Sequence, residues 1–309
     1  MATRAMGPGK GWQWLTRAVN LGSRNAKALF GAAALLLVIA MVPTLLQALF
    51  LRGSTQPNMS MVGGWTVFAL LYALLVVPPA MAGLLKVIHA TETGVPTQAT
   101  AIFDGYRDRP GRVIGLMIVT VVLGIVILSL ILALFVALFG GSELFSNLGE
   151  LMTAAQSAKP GTAQVVPELP SGFGTLLLVL LLVLVGVIFN GVYALSLGQV
   201  VLAERSIGEA LRDGISGTLK NLLPLLILMV IALVVGSLAA VVVVLLLGML
   251  NLVGGFIHPT VGMILAAPLY LVTMLAVYVI SFGVMYFMWR DICADGDSAP
   301  VRRDDQLEV

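Results

Sequence analysis

Residues 221–250 read NLLPLLILMVIALVVGSLAAVVVVLLLGML, and no charged side chain interrupts the chain from Asn221 to Trp289. A helix needs about 20 apolar residues to cross a hydrocarbon core of about 30 Å. Charged residues make up 10% of the 309 residues and hydrophobic residues 59%, whereas a soluble domain carries about 25% charged residues. The stretch therefore predicts a membrane protein, because so few charges cannot cover a water-facing surface.

Five further stretches are long and apolar enough to span a bilayer. The six predicted spans cover residues 28–51, 62–85, 113–139, 174–203, 221–250 and 260–289. A membrane β-barrel would show alternating segments of about 10 residues instead. We predict an all-α integral membrane protein with a single polytopic membrane domain over residues 1–293. A short disordered cytoplasmic tail, residues 294–309, is expected to follow it.

The basic residues indicate the orientation of the chain. All but two of the 17 Lys and Arg residues lie before span 1, between spans 2 and 3, between spans 4 and 5, or after span 6. The opposite side holds only Arg52 and Lys159, and its one sizeable loop is residues 140–173. Cytoplasmic segments carry the excess of Lys and Arg. We therefore expect a multi-pass protein of a bacterial cytoplasmic (inner) membrane, with both termini in the cytoplasm.

An amphipathic stretch precedes span 1. In residues 10–30, KGWQWLTRAVNLGSRNAKALF, apolar and polar side chains recur at helical spacing on opposite sides. Such a helix would lie in the cytoplasmic interface. The apolar run behind it is longer than the 7–15 residues of a signal-peptide core, so we expect the helix to be retained. Its predicted interfacial anchors are Trp12, Trp14, Arg17, Arg24 and Lys27.

Similar stretches precede spans 3 and 5, which suggests an internal repeat. When the stretches are aligned without gaps, Asp104-Gly105 falls on Asp213-Gly214. In the same alignment Asn25, Arg112 and Asn221 share one position. The pattern predicts three related helical hairpins, each preceded by a cytoplasmic amphipathic helix. Repeats are common in transport folds, but duplication also produces them in other membrane proteins. For the two aspartates we expect local ion pairs or helix-end contacts rather than catalysis.

The polar residues inside the spans are uncharged. No Asp, Glu, Lys or Arg lies deep in any predicted span, which disfavours a proton-driven pump or a carrier of charged substrates. Asn190 lies near the middle of span 4, Gln47 toward the outer end of span 1, and Gln199 near the inner end of span 4. Each is a candidate for a pore or pocket, or for a hydrogen bond between helices.

The sequence carries no pattern typical of a catalytic, metal or cofactor site. His89 and His258 are expected at opposite membrane faces, and no cysteine or carboxylate accompanies either at ligand spacing. The signatures of zinc proteases, serine hydrolases, Walker loops and dinucleotide folds are missing. Membrane orientation accounts for the basic residues. We therefore predict no metal, no cofactor and no nucleic-acid partner.

Four short motifs resemble a known group of proteins. They are the GWQW start (residues 11–14), Arg24-Asn25, IFDGYRD (102–108) and MYFMWRDI (285–292). Together they resemble uncharacterised bacterial six-span inner-membrane proteins, which are similar to the membrane domain attached to some glycerophosphodiester phosphodiesterases. The resemblance implies a cytoplasmic-membrane location. It implies no activity, because the phosphodiesterase catalytic domain is absent from this sequence.

These observations favour a non-catalytic function, in which the protein organises the membrane or supports an envelope partner. The main alternative is a transporter or channel for a neutral or lipid-like solute, and the third is a membrane-embedded lipid-modifying enzyme. The expected partner is the bilayer itself, through anionic headgroups at the cytoplasmic face. A second copy of the chain or an envelope protein is a further candidate partner.

Overall fold

The computed structural model describes residues 3–23, 25–50, 59–139 and 173–294. The described residues are 89% helical and contain no strand. Six helices there are long and apolar enough to cross a membrane, namely Ala26–Phe50, Gly63–Thr93, Pro110–Leu138, Leu176–Val201, Leu222–Gly255 and Thr260–Ile292. This confirms the predicted all-α, multi-pass membrane protein. The predicted external loop as far as residue 172, and the predicted tail from residue 295, lie outside the described residues.

Ten α-helices lie in the described ranges. In chain order they are α1 (Lys10–Asn20), α2 (Ala26–Phe50), α3 (Met59–Leu75), α4 (Val77–Thr93), α5 (Asp104–Arg107), α6 (Pro110–Phe139), α7 (Phe173–Val201), α8 (Ile207–Lys220), α9 (Leu222–Gly255) and α10 (Pro259–Ile292). Helices α3 and α4 together form the second span, which breaks at Val76. The short helices α1, α5 and α8 each precede an odd-numbered span.

Local sequence explains where the short helices begin and end. Helix α8 starts with a capping box, in which the Ser206 hydroxyl accepts from the Glu209 N–H and the Glu209 carboxylate accepts from the Ser206 N–H. The segment before span 3 differs from the predicted single amphipathic helix, because it consists of a 3₁₀ turn (Ala99–Phe103) and the one-turn helix α5. Pro110 keeps Arg109 out of the right-handed helical region, which separates α5 from α6.

The chain divides into two compact units, residues 1–118 with 190–309, and residues 119–189. In the first unit, buried apolar side chains gather where α1, the first half of α2, α4 and the last turns of α10 pack together; Trp14, Leu36, Ile88 and Tyr286 are among them. In α9, by contrast, most of the apolar side chains from Val230 to Val253 are exposed. Such an apolar surface suits contact with lipid chains.

The second unit contains the remaining parts of the third and fourth spans. Its described residues are 119–139 of α6 and 173–189 of α7. The ring of Phe189 lies against Gly124, so the two helices approach closely there. Most of the large side chains of these segments are exposed, including Leu130 and Leu180.

A proline in the first span leaves a backbone carbonyl without its helical donor, and a side chain of another helix donates to it instead. Pro43 lies inside α2 and has no N–H, so the carbonyl of Ile39 one turn earlier lacks its helical donor. The hydroxyl of Tyr72, on α3, donates to that carbonyl at 2.8 Å. Buried backbone acceptors need such a partner in a membrane. The contact fixes α3 against α2 at the level of the proline.

Candidate functional site

The three predicted polar residues of the spans lie in different environments. Asn190 and Gln47 are exposed, whereas Gln199 is fully buried. Asn190 and Gln199 are separated by about two and a half turns of α7, so they point to opposite sides of the helix. No hydrogen bond joins Asn190 or Gln47 to another residue within the described ranges. The structure does not bring the three together in one pore or pocket.

Gln199 belongs to a polar network between helices. Its amide nitrogen donates to the Asp213 carboxylate at 2.8 Å, and its amide oxygen accepts from the Trp289 ring N–H at 3.5 Å. The three residues come from α7, α8 and α10. Gln199 therefore joins three helices, and Asp213 has a specific partner on the neighbouring helix.

The predicted interfacial anchors divide into two groups. Trp12 (51% exposed) and Lys27 are on the surface, whereas Trp14 is completely buried and Arg17 is partly buried. Arg24 lies outside the described residues. Trp12 and Trp14 are two positions apart on α1, which places them about 200° apart around the helix axis. Only one of the two tryptophans is therefore available to lipid.

Asp291, at the end of α10, holds α1 in place. Its carboxylate accepts hydrogen bonds from Trp14 Nε1 at 3.1 Å, Arg17 Nη1 at 3.1 Å and Lys10 Nζ at 3.3 Å. The Asp291 side chain is only 13% exposed. Charge-assisted hydrogen bonds are roughly twice as strong as neutral ones. The polar side of α1 thus binds a largely buried carboxylate as well as facing outward.

Asn221, between α8 and α9, fastens the segment that precedes α1. The residue is fully buried. Its side-chain oxygen accepts from the Met6 N–H at 2.6 Å, and its amide nitrogen donates to the carbonyls of Arg4 and Gly217, each at 2.8 Å. Lys220 adds a bond to the carbonyl of Thr3 at 3.2 Å. The start of the described chain is therefore bound into the same helix ends.

The aligned Asp-Gly pairs are explained mainly by their glycines. A Cβ atom at Gly105 would lie 1.9 Å from the carbonyl oxygen of Pro79, and one at Gly214 would lie 2.2 Å from the Ser196 hydroxyl. Only glycine permits approaches as close as these. Asp104 pairs with Arg107 one turn later at 3.6 Å, as expected for a local ion pair.

The described residues contain a charged pocket of about 420 Å³ where spans 2, 3 and 4 end. Its apolar wall consists of Ala82, Gly105, Val113, Val200 and Val201. Four basic and two acidic side chains complete the lining, namely Lys86, Arg107, Arg109, Arg112, Asp108 and Glu204. The volume falls within the roughly 300–1,000 Å³ of small-molecule sites. All of these residues belong to the first unit.

Ion pairs arrange the charges around this pocket. Lys86 contacts Asp108 at 2.5 Å, and Arg109 contacts Glu204 at 3.4 Å. The hydrogen bond from Lys86, followed by the positive charge of the same residue, lowers the pKa of Asp108 below its usual value. Asp108 and Glu204 are both more than half exposed, and exposed ion pairs contribute little to stability.

The backbone of the pocket is strained at two positions. Arg109 and Glu204 both have φ of 54°, and they are the non-glycine residues with positive φ in the described part of the chain. A left-handed conformation costs a non-glycine residue roughly 1–2 kcal/mol. Strained residues of this kind cluster at ligand sites. Here the two strained residues also form an ion pair with each other.

Sequence reasoning missed this pocket because its lining residues come from three separate segments of the chain. The predicted excess of basic residues on the cytoplasmic side already accounted for Lys86, Arg107, Arg109 and Arg112, so none of them was singled out as a site. One signal was present in the alignment of the repeats. Arg112 stands where the other two stretches have Asn25 and Asn221, so a cation replaces a neutral amide there.

Comparison of the chain with protein-family models, with curated proteins and with solved structures gave no match.

Proposed function

We propose that the chain is a non-catalytic membrane protein that organises the bilayer or supports an envelope partner from a rigid cytoplasmic scaffold. One observation carries this proposal: the polar side chains at the inner ends of the spans act as ties between helices. Asp291 binds α1, Gln199 joins α7 to α8 and α10, and Asn221 binds the segment before α1. Groups committed to such bonds hold the scaffold together.

The proposed setting is a bacterial inner membrane with both termini in the cytoplasm. The distribution of Lys and Arg supports this orientation. It is also supported by the resemblance to six-span inner-membrane proteins, which stays part of the proposal. In this arrangement the exposed Trp12 of α1 would lie at headgroup depth, and anionic headgroups would meet the cytoplasmic face.

We also propose that the scaffold consists of three related hairpins arranged in a cycle. In each, the aligned polar residue donates to a carbonyl that leads into the next short helix: Asn25 to Thr97 at 3.4 Å, Arg112 to Glu204 at 2.8 Å, and Asn221 to Arg4 at 2.8 Å. The third hairpin thus returns to the first. This order of contacts supports a repeat in which each hairpin is hydrogen-bonded to the segment that precedes the next short helix.

A complementation experiment tests the scaffold function. We expect a strain without the chain to lose survival under osmotic downshift or detergent, and the wild-type chain to restore it. Asp291→Leu should fail to restore survival although it reaches the membrane, because α1 loses its tie. Asp104→Asn is the matched control and should restore survival fully, since the side chain of Asp104 contacts only Arg107 among the described residues. Full restoration by Asp291→Leu would contradict the proposal.

A second candidate function is a carrier or channel for a neutral or lipid-like solute. The observation that favours it is Asn190, which is exposed near the middle of the fourth span without a hydrogen bond to any described residue. An amide at this depth needs a partner. A passing solute would provide one, as would a helix of a second copy.

Flux measurements separate the second candidate from the first. Purified protein in vesicles would be tested with neutral solutes and with fluorescent lipid analogues, comparing wild type with Asn190→Leu and Gln47→Leu. A carrier requires flux that Asn190→Leu abolishes and Gln47→Leu preserves. A scaffold predicts background flux for all three proteins.

A further inference from the structure

We infer that the charged pocket at the ends of spans 2, 3 and 4 binds a phosphate group. Lys86, Arg107, Arg109 and Arg112 supply its positive charge, against only Asp108 and Glu204. This inference goes beyond the proposed scaffold function and does not depend on it.

The chemistry of the lining suits a phosphate better than a neutral solute. A phosphate has several acceptor oxygens, and arginine presents five N–H donors in a fixed fork that matches them. In the structure Arg112 uses Nη1 for the Glu204 carbonyl at 2.8 Å, and Arg107 contacts Asp104 at 3.6 Å through one nitrogen. Donors on both guanidinium groups therefore remain for a ligand.

Arg112 carries a charge that its structural bond does not require. In the two aligned stretches an asparagine at this position makes the corresponding bond to a backbone carbonyl, at 3.4 Å for Asn25 and 2.8 Å for Asn221. A neutral amide is therefore sufficient for the backbone contact. The positive charge is an addition at this place only, and it lies beside three further cations.

The strained backbone provides a second, independent indication. Both Arg109 and Glu204 keep φ at 54°, a conformation that few non-glycine residues adopt. Their side chains meet at 3.4 Å, and both line the pocket. A phosphate that takes the place of the exposed Glu204 carboxylate would bind Arg109, whose position the backbone already fixes.

The location of the pocket fits a ligand at a membrane surface. Apolar residues of spans 2, 3 and 4, namely Ala82, Val113, Val200 and Val201, form one wall, and charged residues form the rest. The headgroup of an anionic phospholipid and a soluble phosphate ester share the required chemistry, and the experiment distinguishes them.

The test uses the full chain purified in a short-chain neutral detergent. Thermal unfolding is measured with three probes: phosphatidylglycerol, phosphatidylcholine, and soluble glycerol phosphate at matched phosphate concentration. Native mass spectrometry counts the bound lipid. The informative variant is Arg112→Gln, which keeps a donor for the Glu204 carbonyl and removes the charge. The matched control is Arg212→Gln, which removes an exposed cation of α8 outside the pocket.

We expect phosphatidylglycerol or glycerol phosphate to raise the unfolding temperature of wild type and Arg212→Gln, with phosphatidylcholine giving a smaller shift. Arg112→Gln should bind the effective probe about fivefold more weakly, the loss expected for one cation near a membrane surface. Stabilisation by the lipid alone identifies a headgroup site, and stabilisation by glycerol phosphate identifies a soluble phosphate ester. Equal affinity of Arg112→Gln and wild type, or no response to either anionic probe, overturns the inference.

Discussion

The bond network of Asp291 leads to a quantitative prediction about stability. In Asp291→Ala the buried Trp14 N–H loses its acceptor, and Arg17 and Lys10 lose their counter-charge. Leaving a buried donor unpaired costs about 1–3 kcal/mol. Removing one partner of a buried ion pair costs about 3–5 kcal/mol, but Lys10 and Arg17 are 30% and 27% exposed, so solvent recovers much of that loss. We expect Asp291→Ala to reduce the free energy of unfolding by about 4 kcal/mol.

Two further variants separate charge from hydrogen bonding. Asp291→Asn keeps an acceptor for Trp14 and should cost about 2 kcal/mol, since only the charge is lost. Asp104→Asn removes a carboxylate that is 45% exposed and bound only to Arg107 among the contacts described, so its effect should stay within about 0.5 kcal/mol. Unfolding is followed by tryptophan fluorescence in detergent. Release of α1 is followed by trypsin cleavage after Lys10 and Arg17.

The order of the three variants is decisive. If Asp291→Ala is as stable as wild type, or if Asp104→Asn loses as much stability as Asp291→Asn, the carboxylate at the end of α10 does not hold α1. Cleavage in α1 at the wild-type rate in Asp291→Ala would lead to the same conclusion.

Three other features of the structure, namely a hydrogen bond, a buried thiol and a strained backbone position, give predictions of their own. Tyr72→Phe should lower the free energy of unfolding by about 1 kcal/mol in chemical denaturation, because the Ile39 carbonyl loses its donor. In a Pro43→Ala background, where residue 43 has its own N–H, Tyr72→Phe should lower it by less; an equal loss in both backgrounds would refute the role of the proline. Burial raises the pKa of the Cys293 thiol to about 12, with a smaller contribution from the negative charge of Asp213 and an opposing one from Arg4. The thiol should therefore resist maleimide at pH 7.5 until the protein is unfolded, and rapid labelling of the folded protein would contradict the burial. Arg109→Gly should be more stable than Arg109→Ala by about 1–2 kcal/mol in thermal unfolding, because only glycine adopts φ of 54° without strain; equal stability would show that the conformation is not costly.

Composition was sufficient to predict the spans, because a run such as residues 222–255 has no other stable environment than lipid. The faces of the helices were harder to predict. Trp12 and Trp14 are equally apolar, yet one is exposed and the other is buried. In a membrane both lipid and protein accept apolar side chains, so periodicity does not distinguish the two faces. The second span also runs to Thr93, past its predicted end at residue 85.

The polar sites could not be predicted because their partners are distant in sequence. Asp291 meets residues from the first helix, and Asn221 meets Arg4 and Met6. The pocket around Arg112 likewise draws its residues from three segments of the chain. A local pattern identifies one side chain at a time, whereas these sites exist only after helices from both ends of the sequence pack together.

The most direct test of the scaffold function is untargeted lipid and metabolite profiling of a strain that lacks the chain, alongside the same strain carrying the wild-type chain or Asn190→Leu. We expect unchanged lipid and metabolite profiles in all three strains. Survival under osmotic downshift or detergent should be lost only in the strain that lacks the chain. A lipid or metabolite that accumulates or disappears without the chain, and that the wild-type chain but not Asn190→Leu restores, would contradict a non-catalytic scaffold and indicate a carrier.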